Sequence, residues 1–245
     1  MSIDQSHVGL PQFRHVHVHL VSINIYGYNR YRFQLPRNAQ LNLPIGRHVS
    51  IRATVGTRQA MRSYTPISDP DVRGYFELLV KTYPNGTVSK YLAELNIGDF
   101  VDFKGPKGSF EYQPHVYHHL GMIAGGTGIT PIYQIIKHSL SQPKDKTKLS
   151  LIYANVNEED ILLHAELESL AKEHSERFKI SYTLDNPPSN WKQGKGFVTS
   201  DMIKQHLPSP SKGIRVLVCG PPPMVASMQS HCNALGYDES MFYRF

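Results

Sequence analysis

Near residue 114 the hydrophobic rhythm of the chain changes, and that change restricts the fold more than any single motif does. Before it, short segments alternate apolar and polar residues between turns: HVHVHLVSINIY, YRFQL, HVSIRATV, RSYTPI, YFELLVKTY and FVDFKGPKGSFEY. A period of two with turn residues between the runs predicts antiparallel strands in a barrel or sandwich. One helix is predicted within this half. GTVSKYLAEL places Val88, Tyr91, Leu92 and Leu95 at i, i+3, i+4 and i+7, a stripe suited to plugging one end of a small barrel. After the polar connector QPHVYHH, the segments HLGMIA, KLSLIYANV, FKISYTLD, IRVLVCG and MFYRF alternate with PIYQIIKHSL, EDILLHAELESLAKEHS, SDMIKQHL and PMVASMQSHCNAL. Strand and helix in alternation predict βαβ units and a doubly wound parallel sheet. The expected fold class is therefore an antiparallel β-barrel followed by an α/β domain, with domains at residues 1–114 and 115–245.

Composition narrows the function. A chain of 245 residues with 40% hydrophobic and 19% charged residues can bury two cores, which excludes disorder. The net charge of +6 is uneven: residues 1–112 carry 13 Lys plus Arg against 8 Asp plus Glu, and residues 113–245 carry 13 against 12. Nine of the first 13 cations are Arg, the residue suited to bidentate phosphate or carboxylate contact. On charge alone a solvated basic surface is the plainer reading. Cys219 and Cys232 have neither metal-ligand spacing nor the number of a disulfide scaffold, so a reducing, cytoplasmic setting is expected. MSIDQSHVGLPQF has no apolar leader region, and no run of 18 apolar residues occurs, so a soluble chain without membrane insertion is expected. A longer, anchored form would carry the same residues here.

Four stretches carry chemistry. GMIAGGTGITPIYQII (121–136) reads as strand, glycine turn and helix, with Thr130 as N-cap and Pro131 in the first turn. Free helix N–H groups facing Gly125, Gly126 and Gly128 would suit a nucleotide pyrophosphate, although tight packing explains a glycine turn equally well. No Lys follows as in a Walker A loop, and the spacing is not G-x-G-x-x-G. VLVCGPPPMV (216–225) repeats the geometry, with Cys219 on the rim of the crevice beyond the strand ends and three prolines delaying a helix to about Met224. SYTLDNPP ends a strand on Asp185, which can bind a ribose hydroxyl and repel a 2′-phosphate, or simply serve the turn. At ~4 Å the repulsion is about 1 to 4 kcal/mol, or ~5-fold to ~1000-fold discrimination. In the barrel half, NGTVSKYL starts a second helix at Gly86, Thr87 and Ser89, and with Arg62 makes a second diphosphate site. RSYTPIS adds a flat ring at Tyr64 and a hydroxyl at Thr65 beside that cation.

RSYTPIS, GGTGITP, TLD and CGPPPMV fall in the order and rough spacing of the NADH–cytochrome b5 reductases, ferredoxin–NADP reductase-like flavoenzymes, and the chain resembles that family from about residue 15 to 245. The resemblance implies FAD on the barrel and NADH on the second domain, with hydride passing from nicotinamide to flavin and electrons leaving singly to cytochrome b5. It implies that Arg62 pairs with the FAD diphosphate, that Tyr64 packs on the flavin and that Thr65 lies beside flavin N5. His48 resembles a histidine near the flavin with a part in proton movement. Val80, Lys81, Tyr83, Gly86, Thr87, Val88 and Ser89 resemble further FAD contacts, as do Thr127, Thr130 and the terminal Phe245. Gly125, Gly126, Gly128, Asp185 and Phe197 resemble NADH positions, and Cys219, Gly220, Pro221 and Met224 the nicotinamide rim; Thr65, His48 and Cys219 are the implied catalytic group. The family's basic insertion between domains is short here, which leaves Arg47 or Arg58 as docking candidates for an acidic haem protein.

Other features are discounted. His15, His17 and His19 share one strand face at ~6.5 Å intervals, too spread for one ion, and His115, His118 and His119 sit in the connector, so no metal is expected. Trp191 reads as a loop anchor, and NEEDILLHAELESLAKEHSERF as an amphipathic surface helix. The alternatives are a flavin module for nitrate or ferric iron, and a non-catalytic nucleotide- or RNA-binding module; RNA is disfavoured because only RSYTPIS interleaves cation and ring. A monomer without nucleic acid is expected.

Overall fold

The computed structural model describes residues 14–19, 28–36 and 38–245, and only the backbone of 14–19 and of Arg58. The chain divides into two compact units, Met1–Tyr112 and Gln113–Phe245. MSIDQSHVGLPQF up to Phe13, the segment 20–27 and the side chains of His15, His17, His19 and Arg58 lie outside the described residues.

The first unit contains β1 Arg14–His19, β2 Tyr28–Gln34, β3 His48–Val55, β4 Arg58–Tyr64, β5 Tyr75–Lys81, α1 Thr87–Ala93 and β6 Phe100–Lys107. The sheet order is β4-β3-β6-β1-β2-β5, antiparallel throughout. The end strands β4 and β5 share no ladder among the described residues. They are tied just past β4, where Ile67 N–H donates to the Glu77 carbonyl (2.9 Å) and Glu77 N–H donates to Ser68 Oγ (3.1 Å). The expected barrel is thus a six-stranded sheet whose ends are joined by two hydrogen bonds. Pro66, lacking an N–H, stands where a continuing ladder would need a donor.

Period-two alternation does the packing. Phe76, Leu78 and Val80 of β5 point inward, and Phe33, Phe76 and Phe103 meet at centroid distances of 4.7 to 5.3 Å. The helical stripe fills the remaining opening: Val88 and Leu92 of α1 are fully buried in this core, with Tyr91 and Leu95 against its rim. The plug helix therefore holds α1's first turn and the adjacent end of β5 in fixed positions.

The second unit contains β7 His119–Gly125, α2 Ile129–Ser141, β8 Lys148–Asn155, α3 His164–Glu173, β9 Phe178–Leu184, β10 Gly194–Lys195, α4 Ser200–His206, β11 Ile214–Cys219, α5 Pro222–Ala234 and β12 Phe242–Arg244. Its sheet is parallel, in the order β10-β9-β8-β7-β11-β12. From β7 the chain winds outward through β8 to β10, then returns to the other side for β11 and β12. That reversal makes the carboxyl ends of β7 and β11 the switch point, where open parallel sheets bind ligands. At the opposite end, buried Asp145 accepts from Ser139 Oγ (2.7 Å) and Thr147 Oγ1 (2.7 Å), fastening the exit of α2 to the entry of β8.

Three helix starts differ from expectation. α2 begins at Ile129 with Gly128 as N-cap, because a 3₁₀ turn at Gly126–Gly128 starts the winding early; Thr130 is inside the helix, its hydroxyl donating to the Thr127 carbonyl (3.2 Å). α5 begins at Pro222, so the prolines open the helix rather than delay it, their missing N–H groups falling where no helical partner exists. α3 begins only at His164, since Ile161, Leu162 and Leu163 are buried in succession, which a surface helix does not allow. The short strand β10 was not expected. The expected glycine after α5 is Gly236, whose φ of +86° permits a Schellman ending with Tyr237 N–H on the Cys232 carbonyl.

Leu92→Ala should cost roughly 2 to 5 kcal/mol in urea unfolding, because Leu92 is completely buried in the first core. Leu95→Ala at the rim should cost less than half as much; equal losses would show that α1 does not plug the sheet as described.

Candidate functional site

In the first unit, the end of β4 and the turn after β5 supply the chemistry. Register sets Arg62 opposite Ile51 and Tyr64 opposite Val49. The Arg62 side chain is exposed, with Nη1 on the Met61 carbonyl (2.9 Å), and the Tyr64 ring lies half-buried against the core. Burial pushes the Tyr64 hydroxyl up to about 12; the Arg62 charge opposes this, and Tyr31 and Tyr83 add to it. Tyr64 is therefore within electrostatic reach of all three. Lys81 Nζ lies 5.2 Å from the Tyr28 ring centre and 6.0 Å from that of exposed Tyr83. Arg62, Tyr64, Lys81 and Tyr83 thus compose one cationic, aromatic surface. Thr65 follows Tyr64 as a buried hydroxyl.

The start of α1 adjoins this surface through Tyr83. Tyr83 N–H donates to buried Ser89 Oγ (3.2 Å) and Gly86 N–H to the Tyr83 carbonyl (2.9 Å), a turn so tight that a Cβ on Gly86 would lie 2.2 Å from Ser89 Oγ. The helix has no side-chain cap and no acid in its first turn, so the N–H groups of Thr87, Val88 and Ser89 are available to an anion. With seven residues its dipole is small, and those N–H groups with Arg62 would carry the binding. The side chains of Val80 and Val88 are in the core, 3% and 1% exposed, so any ligand contact from them is through backbone.

His48 opens β3, one residue from the Val49 that faces Tyr64. Burial lowers its pKa, and the charges of Lys107 and Arg47 lower it further, so the ring is neutral at pH 7. Arg47 is committed within the unit, donating to the Gly108 carbonyl and facing Glu111 at 3.6 Å, and is no free docking cation.

In the second unit the two loops at the switch point pack backbone against backbone. A Cβ on Gly128 would lie 2.2 Å from the Cys219 carbonyl oxygen and 2.9 Å from Gly220 N. One on Gly125 would lie 2.4 Å from Met224 Sδ, and one on Gly220 2.9 Å from the same sulfur. Three of the four expected nucleotide glycines therefore serve contact between loops. Gly126, at φ +52°, is the one whose missing Cβ faces open space, and beside it Thr127 is part-exposed. Burial pushes the Cys219 thiol up to about 12, so it stands at the strand end as a neutral S–H. Gly220, Pro221 and Met224 follow directly into α5.

Two strands away, Asp185 is exposed beyond β9, held by its N–H on the Asn155 carbonyl (3.0 Å), and partial burial raises its carboxyl pKa. Phe197 is 80% exposed. It is placed by Gly196, whose N–H donates to the Leu184 carbonyl (2.8 Å) and whose carbonyl accepts from Thr183 Oγ1 (2.7 Å). Ring and carboxylate therefore share one end of the sheet. Cys219 and Asp185 are three strand spacings apart, roughly 14 Å, so a ligand touching both must be extended. Phe245 is fixed by its N–H on the Val218 carbonyl (3.0 Å) and packs edge-on against Tyr243. Trp191 anchors its loop through Nε1 on the Gly194 carbonyl (2.8 Å). Sequence reasoning passed over Tyr153 and Asn155; their only signal was polar groups closing an apolar strand, KLSLIYAN.

The comparisons agree with this division of chemistry. Residues 14–112 match the oxidoreductase FAD-binding domain and residues 122–230 the oxidoreductase NAD-binding domain. These two domains in this order define a flavin-dependent oxidoreductase that uses a nicotinamide nucleotide. Among relatives, the chain is 54% identical over 218 residues to NADH-cytochrome b5 reductase 1 of Aspergillus terreus, covering 86% of this chain and 73% of that protein. It is 50% identical over 216 residues to NADH-cytochrome b5 reductase 1 of Dictyostelium discoideum, covering 88% and 75%. The solved cytochrome b5 reductase domain of Ulva prolifera nitrate reductase matches with a TM-score of 0.90 at 37% identity, covering 96% of this chain and 97% of that one. The chain belongs to the NADH-cytochrome b5 reductase family. Among the described residues no helix is long and apolar enough to cross a membrane.

Gly128→Ala should cost about 1 to 3 kcal/mol of stability, because the added methyl meets backbone rather than a movable side chain. Gly126→Ala, with open space at its Cβ, should cost less in packing and show its effect mainly through its left-handed φ. Thermal unfolding of both variants checks the order, and a milder Gly128→Ala would contradict the loop contact.

Proposed function

We propose that this chain oxidises NADH and delivers the electrons one at a time to cytochrome b5, as a monomer in a reducing, cytoplasmic setting. The observation that carries the reading is that each unit presents a separate surface for a nucleotide, one cationic and aromatic, the other a loop pair at a sheet switch point with an acid two strands away. Cys219 and Cys232 are both free thiols, which suits a reducing compartment.

On the first unit, Arg62 and the backbone N–H groups of Thr87, Val88 and Ser89 would neutralise and bind the FAD diphosphate, with Lys81 and Tyr83 beside them. Tyr64 would lie against the flavin as an un-ionised phenol, its hydroxyl proton held by burial. Thr65 offers its hydroxyl as the polar neighbour of the flavin edge, and His48, neutral at pH 7, is able to accept a proton there. Bound FAD supplies a hydride acceptor that gives its electrons back singly. On the second unit, Gly126 would receive the NADH pyrophosphate, and Asp185 and Phe197 the adenosine, while Thr127 beside the turn would be, by resemblance, an FAD contact. Cys219, Gly220, Pro221 and Met224 would border the nicotinamide, the uncharged thiol adding no negative charge where a hydride leaves. Thr130 acts at one remove, through its hydrogen bond to the Thr127 carbonyl. Phe245 and the 125–128 turn complete the assignment by resemblance.

The excess of cations in residues 1–112 favours an acidic haem protein as acceptor, by steering its approach. The match to a nitrate reductase domain favours, as a second reading, the same module serving another oxidant; rates with cytochrome b5, ferric salts and nitrate-reducing partners separate the two.

The purified protein should show a flavin absorbance spectrum that bleaches on adding NADH without oxygen. A colourless protein, or a flavin untouched by NADH, would remove the reading and favour a non-catalytic nucleotide-binding module.

Asp185→Ala should narrow the NADH over NADPH preference in kcat/KM by about 5-fold or more. Acid should do the same to the unaltered protein. The raised carboxyl pKa means that protonation begins at a higher pH than for an ordinary aspartate, removing the charge that repels a 2′-phosphate. Selectivity that stays constant in the variant and as the pH falls would take Asp185 out of this role.

A further inference from the structure

Asn155 is a buried polar side chain that the fold leaves incomplete. It is 6% exposed, and neither its amide nitrogen nor its amide oxygen has a hydrogen-bond partner. Losing water without a compensating bond is costly, and native chains tolerate it where a ligand, an ion or a water completes the group.

Its position selects among these. Asn155 is the last residue of β8, which lies between β7, leading into the glycine turn, and β9, leading into Asp185. Register sets Ala154 opposite Gly125 and Asn155 opposite Leu184, so Asn155 is level with Gly126 on one side and one residue short of Asp185 on the other. Strand alternation puts its side chain on the same face as Tyr153. The Tyr153 hydroxyl donates to the Gly126 carbonyl (3.1 Å) and accepts from Leu162 N–H (3.2 Å), which bolts the glycine turn to the segment 156–163. The Asn155 carboxamide lies one pleat beyond that bolt, toward the carboxyl edge. Its own carbonyl receives Asp185 N–H, so one residue both positions the acid and holds the vacant amide beside it.

We propose that the Asn155 carboxamide is a dinucleotide-binding group, which hydrogen-bonds the ribose–pyrophosphate stretch of NADH where it crosses the end of β8 between Asp185 and Gly126. The assignment rests on the NADH reading above and adds a contact to it. An extended ligand that touches both the glycine turn and Asp185 has to pass over β8, the strand between them. Both amide atoms are covered, so binding turns the carboxamide about its last torsion toward the strand end and exchanges an unpartnered group for a partnered one. A carboxamide suits this stretch because it donates to phosphate oxygens and accepts from ribose hydroxyls without adding a negative charge.

The test is Asn155→Leu in the FAD-loaded protein, a change that keeps the branched four-atom outline, adds some bulk and removes both polar atoms. NAD+ binding by calorimetry and the KM for NADH should each weaken about 10-fold, with kcat within twofold of the original. The thermal midpoint without nucleotide should stay level or rise, since an unsatisfied group has been removed. NAD+ affinity that does not change overturns the proposal, and so does a joint loss of affinity and kcat, which marks a structural residue. If Asn155→Leu does not fold, Asn155→Ala, which also removes both polar atoms and adds no charge, is judged by the same two affinity and kcat criteria. Bleaching of the original protein's flavin by NADH is read separately, so failure here is distinguishable from failure of the NADH reading.

Discussion

The contact on which the second unit depends is the approach of two backbones at its switch point. Gly128 and Cys219 come so close that no side chain fits between them, and Gly125 and Gly220 close on Met224 in the same way. The consequence reaches from packing to chemistry. Because these glycines are used up in holding the loops together, the turn can offer Gly126 and Thr127 to a ligand in a fixed place. The Tyr153 hydroxyl then fixes the Gly126 carbonyl from below. A loop pinned from two sides in this way costs little to order when a nucleotide arrives, which is the physical content of preorganisation.

The first unit solves a different problem with different means. Its ligand surface is made of exposed cations and rings, which are mobile unless something rigid carries them. The rigid part is the Phe33, Phe76 and Phe103 cluster with the Leu92 plug, which sets β5 and the start of α1 and hence Lys81, Tyr83 and Ser89. Tyr64 belongs to both worlds, half in the core and half on the surface. Burial moves three titratable groups at these surfaces further toward their uncharged forms, Tyr64 and Cys219 by upward shifts and His48 by a downward one. Fixed charge is left to Arg62, Lys81 and Asp185, the groups that face phosphates and a ribose.

Much of this was legible in the sequence because periodicity reports which face is buried. The alternation in YFELLVKTY and the spacing of Val88, Tyr91, Leu92 and Leu95 translate directly into strand β5 and helix α1. What failed did so where a local signal was ambiguous. Thr130 followed by Pro131 has the composition of a helix start, but the left-handed Gly126 begins the turn sooner, and no propensity reveals a glycine's φ. The three prolines of CGPPPMV can either break or open a helix, and only the preceding strand end decides. The glycine loop was ambiguous between packing and binding, and it does both, residue by residue. Asn155 was illegible because its meaning lies in an absent partner, which only coordinates show.

The most direct test of the whole account is a crystal structure of the protein with FAD and NAD+ both bound. The account predicts the FAD diphosphate on Arg62 and the backbone of residues 86–89, with the isoalloxazine against Tyr64. It predicts the NAD+ pyrophosphate over Gly126, with the adenosine ribose on Asp185. Density for either dinucleotide away from these residues, or a single nucleotide occupying both surfaces, would contradict it.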